Sequence, residues 1–240
     1  MDTTQLTQHI SRQFNAELEE VRTHILTMGG LVEQQIGDAL RALRTGDSEL
    51  AERVVRDDYR INSLEVTIDE ECTRILARRQ PTASDLRMIV AVIKTITDLE
   101  RMGDEAEKVA RMALHLGQGG DHWVRYTAGV QPLGYRVQRM VHDALDAFAR
   151  LDTTAALGVA REDTNVDQEY ESLMRQLITF MMEDPRSIST VLDVMWSARA
   201  LERIGDHARN VCEYIVYLVH GKDIRHTNLE QVAQTLQAKR

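Results

Sequence analysis

Residues in the first half of this 240-residue chain return, in type and spacing, about 105 positions later. Ile36-Gly37-Asp38-Ala39-Leu40 comes back as Val141-His142-Asp143-Ala144-Leu145. Gly29, Asp47, Arg56 and Asp58 match Gly134, Asp152, Arg161 and Asp163 at the same offset. Pro81 matches Pro185 at 104 and Glu100 matches Glu202 at 102, so the second copy is a few residues shorter. A chain that repeats itself in this way is constrained to build one unit twice and to join two similar halves.

The unit is helical. Leu18, Val21, Ile25, Met28, Val32, Ile36, Ala39 and Leu43 step by three or four without losing phase. That phase runs through Gly29-Gly30 and places both inside one long helix, at about 1 kcal/mol each relative to alanine. Close packing of a neighbouring helix accounts for the pair, with a hinge as the alternative. Thr45-Gly46-Asp47 marks a turn in which Asp47 caps the second helix. Val54, Ile61, Leu64, Ile68, Cys72 and Ile75 line that helix's core face, and Arg78-Arg79-Gln80-Pro81 ends it. A third helix, capped near Thr82, carries Leu86, Ile89, Ile93 and Ile96 on one stripe, and Glu100 and Asp104 continue the stripe.

Gly117-Gln118-Gly119-Gly120 reads as a linker, and Asp184-Pro185 opens the sixth helix. The expected fold is all-α, two tandem three-helix bundles related by an internal pseudo-twofold axis. The bundles span residues 1–117 and 123–221, and a polar tail follows at 222–240, with a weak last helix near Leu229 to Leu236.

Hydrophobic residues make up 43% and aromatics 5%, so the core must come from aliphatic side chains, which suits helix-on-helix packing. The net charge of −9, with no basic stripe, argues against nucleic acid and against direct binding to an anionic lipid surface. Cys72 and Cys212 form no CxxC and read as small core residues. The N-terminal residues have no leader pattern, and no apolar run approaches the roughly 20 residues of a membrane span, so the chain reads as cytoplasmic.

The chemistry lies in a repeated motif. Leu99-Glu100-Arg101-Met102-Gly103-Asp104 returns as Leu201-Glu202-Arg203-Ile204-Gly205-Asp206. Each copy sets two carboxylates one helical turn apart, where like charges repel by a few tenths of a kcal/mol. Their stripes are apolar, so the acids sit at the edge of a packed face and must be paired, protonated or bound to a cation. One reading is a carboxylate metal site; the other is internal pairing with Arg101, Arg203 or Lys108. Gly103 and Gly205 let a neighbouring helix approach closely. No histidine has a glutamate three residues before it, so a ferritin-type di-iron oxidase is not supported. No phosphate loop or nucleophile motif appears, which argues against an enzyme. His115 and His207 read as surface or cap residues.

With these residues in view, the chain resembles the PhoU family of regulators of bacterial phosphate-specific transport. The resemblance rests on Arg78-Arg79-Gln80-Pro81 with Asp85-Leu86-Arg87, on Asp98 to Asp104, on Leu201 to Ala208, and on Gly221 to His226. It implies paired three-helix bundles, a homodimer, and metal sites at Glu100 with Asp104 and Glu202 with Asp206. Iron, zinc, manganese and magnesium are the candidate ions, and Asp38 and Asp143 are possible further ligands. It also implies a non-catalytic negative regulator of phosphate uptake and of the phosphate regulon. Such an adaptor joins the transporter's ATPase and permease to a sensor histidine kinase, peripheral at the inner membrane through protein partners. One departure stands out: the family's Asn four residues after the motif Asp is present as Asn210 but replaced by Lys108 in the first half. The Lys108 ammonium, within helical reach of Asp104, is expected to weaken the first site.

Overall fold

The computed structural model describes residues 3–81, 83–117, 123–225, 227 and 231–232, with side chains from residue 13 onward. Its helices are α1 (Thr3–Thr45), α2 (Ser48–Asp57), α3 (Tyr59–Arg79), α4 (Ala83–Gly117), α5 (Val124–Thr127), α6 (Val130–Arg150), α7 (Thr153–Glu183) and α8 (Ile188–His220). A 3-10 turn, Pro185–Ser187, precedes α8. No described residue is in a strand.

α1, α4 and the α2–α3 arm form the first bundle; α6, α7 and α8 form the second, with α5 leading into it. The arm expected as one second helix is interrupted at Asp58, whereas its counterpart α7 is continuous. α4 packs along α8 as the most extensive contact, and α1 also meets α6, so the third and first helices of the two bundles face each other. One hydrophobic cluster runs from Val21 to Ile215 through both bundles, with Ile25, Met28, Leu99, Leu133 and Met140 among its fully buried members. Cys72 and Cys212 are free thiols inside it. Leu86, expected on the core stripe of α4, is instead exposed near the helix start.

The glycines between the bundles settle the packing question. A Cβ on Gly29 would lie 2.6 Å from Leu145 Cδ2, and one on Gly134 would meet Leu40 Cδ2 closer still. Gly29 matches Gly134 and Leu40 matches Leu145 in the repeat, so each bundle lodges its leucine against the other's glycine. Gly30 has open space where a Cβ would go and carries no such contact.

Turn chemistry follows the repeat with one exception. α1 ends at Gly46, in the left-handed region at φ 67°, and Asp47 accepts a hydrogen bond from Leu50 N at 2.9 Å. The second copy keeps the cap, Asp152 accepting from Thr154 N and Ala155 N at 2.9 and 3.0 Å. It places Leu151 in the left-handed position instead, at φ 53°. A non-glycine residue there costs about 1–2 kcal/mol. Leu151→Gly is expected to stabilise the protein by up to about 1 kcal/mol, part of the gain being lost to the freer unfolded chain; urea unfolding with an unchanged m-value checks this.

α3 stops at Gln80, also left-handed (φ 49°), ahead of Pro81. Asp184 caps the 3-10 turn by accepting from Arg186 N at 3.1 Å, and α8 begins only after it. The expected cap at Thr82, linker residues 118–120 and most of the expected last helix fall outside the described residues.

Candidate metal centres

Each motif of paired carboxylates is joined by a second acidic pair from the middle arm of its own bundle. Around Glu100 and Asp104 on α4 stand Asp58, at the α2–α3 junction, and Glu65 on α3. Around Glu202 and Asp206 on α8 stand Asp163 and Asp167 on α7. Partial burial, first, and then the charges of these neighbours hold the carboxyls of Glu100, Asp104, Glu202 and Asp206 above the usual carboxylate range. Glu65 and Asp167 are raised for the same leading reason. The chain has therefore assembled two acidic quartets, one per bundle.

The motif glycines position these quartets. A Cβ on Gly103 would press on Gln35 Oε1 at 3.1 Å and Ile61 Cδ1 at 3.2 Å, with Asp58 Oδ1 at 3.4 Å. On Gly205 it would meet Val166 Cγ1 at 3.3 Å. The missing side chain thus lets the middle arm bring its acid up to the motif helix.

The middle-arm acids were not singled out as ligands from the sequence, although a signal was there. Asp58 lies four residues after Val54 and three before Ile61, on the core stripe. Asp163 lies identically between Val159 and Val166. A carboxylate inside an apolar stripe, matched in both repeats, is a buried charge in need of a partner; Asp58 is 7% and Asp163 4% exposed.

Their partners leave oxygen atoms over. Gln35 Nε2 donates to Asp58 Oδ1 at 2.8 Å and Asn62 Nδ2 to Asp58 Oδ2 at 3.0 Å. That leaves Gln35 Oε1 and Asn62 Oδ1 buried without a donor. In the second quartet, Asp163 Oδ1 and Glu202 Oε2 are orphaned in the same way. These four are the only orphaned buried side-chain oxygens among the described residues, and all belong to the quartets or to groups bonded to them. A buried acceptor without a donor is destabilising by about 1–3 kcal/mol, and a cation answers it. The donor set is oxygen-only and suits a hard ion, although among the described residues no three of the quartet acids bring ligand atoms within 4.8 Å of one another.

Comparison with known proteins identifies the family of the chain. The family model described as the PhoU domain matches residues 25–113 and again 130–215. The chain belongs to the PhoU family. A Pseudomonas aeruginosa relative, a phosphate-specific transport system accessory protein PhoU homolog, is 55% identical over 235 residues, covering 98% of this chain and 97% of its own. The Escherichia coli K12 phosphate-specific transport system accessory protein PhoU is 49% identical over 239 residues, covering 100% and 98%. The crystal structure of PhoU from Pseudomonas aeruginosa superposes with a TM-score of 0.85 at 57% identity, covering 87% of this chain and 100% of that one. That of the PhoU regulatory protein from Streptococcus pneumoniae gives 0.80 at 32% identity, covering 88% and 98%. PhoU proteins are accessory and regulatory components, and this PhoU chain is not an enzyme.

The two quartets differ in how they are neutralised. Lys108 Nζ bonds Glu105 Oε1 at 2.9 Å, and the Arg203 guanidinium reaches the same oxygen at 3.0 Å. Lys108 acts on Asp104 only through its charge, as the main influence lowering that carboxyl. Among the described residues no arginine or lysine forms an ion pair with Asp58, Glu65, Glu100 or Asp104. In the second quartet Arg199 Nη1 holds Glu202 Oε1 at 2.7 Å and Arg209 Nη1 holds Asp163 Oδ2 at 2.9 Å. The first quartet is the less compensated.

Other candidates are drawn elsewhere. Asp38 pairs with Arg41 at 2.6 Å and Asp143 with Arg139 at 3.6 Å. Asn210 turns away from Asp206 and donates to Asp98 Oδ1 across the bundles at 3.1 Å. His207, read as a surface or cap residue, is 8% exposed, and its Nδ1 bonds the same Asp98 oxygen at 2.7 Å. Asp98 is thus the buried polar tie between α4 and α8, and its counterpart at the offset of 102, Ala200, offers no such tie. His115 is at the surface, as expected.

Proposed function

We propose that this chain is a negative regulator of phosphate uptake and of the phosphate regulon, an adaptor between the phosphate ABC transporter's ATPase and permease and a sensor histidine kinase. The transport-system relatives, aligned over essentially the whole chain, support a role in regulating phosphate transport. The adaptor reading draws on large apolar side chains left exposed on the α7–α8 hairpin, Met182 at 79% and Trp196 at 63%, a surface on which a protein partner or a second copy in a homodimer can pack. No helix among the described residues is long and apolar enough to cross a membrane, and the reading places the protein in the cytoplasm, held at the membrane by its partners.

The quartets serve this role as metal sites that fix the middle arm of each bundle against its third helix. The observation that carries this is the set of four orphaned buried oxygens beside eight clustered acids. The oxygen-only donors favour magnesium, manganese or iron over zinc. A bound ion would supply the positive charge; the carboxylates would hold it, with the Gln35 and Asn62 amide oxygens available beside Asp58 in the first quartet.

The direct-pair asymmetry reverses the ranking drawn from Lys108: the first quartet fills first. Anomalous scattering from crystals soaked at limiting Mn2+ is expected to give higher occupancy beside Glu100 than beside Glu202, and equal or inverted occupancy contradicts the ranking. In cells lacking the chromosomal copy, the quadruple variant Glu100→Gln, Asp104→Asn, Glu202→Gln, Asp206→Asn is expected to lose repression of a phosphate-starvation reporter at high phosphate. Full repression by that variant removes the metal sites from the mechanism.

A further inference from the structure

We propose that Glu20, His24 and Glu71 form a third, separate site for a first-row divalent ion of the zinc class, tying α1 to α3. Glu20 and His24 lie one turn apart on α1, and Glu71 faces them from α3. One ligand atom from each residue lies within 4.8 Å of the other two, and among the described residues no other group of three or more histidines, cysteines or acids meets that test. The quartets, by contrast, do not converge so tightly. The His24 Nδ1 to Glu71 Oε2 separation is 3.0 Å. Two ligand atoms on a tetrahedral ion with bonds of about 2.1 Å stand about 3.4 Å apart, so a small adjustment admits the ion.

Charge balance points the same way. Glu71 is 8% exposed, and a buried carboxylate needs compensation. Among the described residues no lysine or arginine pairs with Glu71 or Glu20. Arg79, one basic group on α3, is held by Glu17 through two bonds of 2.7 and 3.0 Å. An imidazole alone answers Glu71 with one hydrogen bond, leaving Glu20 beside it unanswered. The repeat shows that the fold does not need this triad: Arg125, Gly129 and Gln176 occupy the matching positions, and Gly129 there makes room for Leu173.

Donor chemistry separates this site from the quartets. One imidazole with two carboxylates suits zinc and its neighbours and discriminates against magnesium, with water free to take a fourth position. Glu20 is exposed and leaves the ion a way in. Glu71 stands about 9 Å further along α3 than Glu65, the nearest acid of the first quartet on that helix, and the triad shares no residue with that quartet, so its binding is read separately.

The test is Zn2+ titration of the full-length protein by calorimetry in excess Mg2+, which occupies oxygen-only sites, together with histidine-ring NMR. The expected result is a Zn2+ equivalent that persists under Mg2+ and shifts the His24 ring resonances. His24→Gln and Glu20→Gln should each weaken it by at least about tenfold, an effect reached even by outer-shell partners, while Glu17→Gln leaves it intact. Glu20 is at the surface, so its variant keeps the fold whatever His24→Gln does. Absence of the equivalent under Mg2+, or an affinity unchanged in both triad variants, overturns the proposal and leaves His24 and Glu71 as a plain hydrogen bond.

Discussion

Removal of Glu100 and Asp104 charge, as Glu100→Gln with Asp104→Asn, is expected to raise the melting temperature of the metal-free protein at pH 8 and to remove the first quartet's share of metal stabilisation. The sign follows from the direction of the pKa shifts. Both carboxyls titrate higher in the folded protein than in the unfolded chain, through burial first and then neighbouring acids. Below about pH 4 both states hold the protons and the quartet is harmless. As pH climbs from there through the raised folded values, the unfolded chain sheds protons more readily and stability is lost. Amides at these positions do not titrate, so they take that pH dependence away. Wild-type protein recovers the loss by binding an ion: at a hundred times the dissociation constant, one site contributes about 2.7 kcal/mol. For a chain of this size that is a rise of about 5–10 °C. Differential scanning calorimetry with and without Mn2+, at pH 5 and pH 8, reads all of these effects. A variant with the same metal response as wild type would falsify the first quartet as a metal site.

Gly134→Ala and Gly30→Ala should move stability in opposite directions although both replace a glycine inside a long helix. Alanine at Gly30 meets nothing within 4 Å, so it gains up to about 1 kcal/mol of helix propensity. Alanine at Gly134 drives its methyl into Leu40, which is 4% exposed and has nowhere to retreat. Overpacking of this kind is destabilising by about 1–3 kcal/mol, against a propensity gain of about 1 kcal/mol, for a net loss of up to about 2 kcal/mol. Gly29→Ala against the half-buried Leu145 loses less. A double-mutant cycle isolates the contact: in a Leu40→Ala background, Gly134→Ala should become neutral or stabilising. If it stays equally harmful there, the glycine matters for some reason other than Leu40.

How far the sequence could be read depended on whether a signal was local. The long helices, the Asp47 cap and the stop at Gln80-Pro81 are set by neighbours a few residues apart and appear where local signals put them. The break at Asp58 does not show in the periodicity, because Val54, Asp58 and Ile61 keep one helical phase across it. The offset matching Gly29 to Gly134 located the contact, yet only the packed helices reveal Leu145 and Leu40 as the knobs. The motif acids were visible as pairs, while Asp58, Glu65, Asp163 and Asp167 join them through tertiary packing. Helical spacing puts Lys108 near both Asp104 and Glu105, and only the packed structure shows that it bonds Glu105 and reaches Asp104 through its charge alone. His207 was read as peripheral because its acceptor, Asp98, lies more than a hundred residues away in the other bundle.

The reciprocal fit of Leu40 on Gly134 and Leu145 on Gly29 has the form of an isologous contact, in which one surface meets its own copy. Between separate molecules, such a contact would form or dissolve with protein concentration. Carried on one polypeptide, the two surfaces face each other at an effective concentration on the order of millimolar. The docking of one bundle on the other is therefore indifferent to how much of the protein a cell makes, and both quartets are presented in fixed number and relation at any expression level.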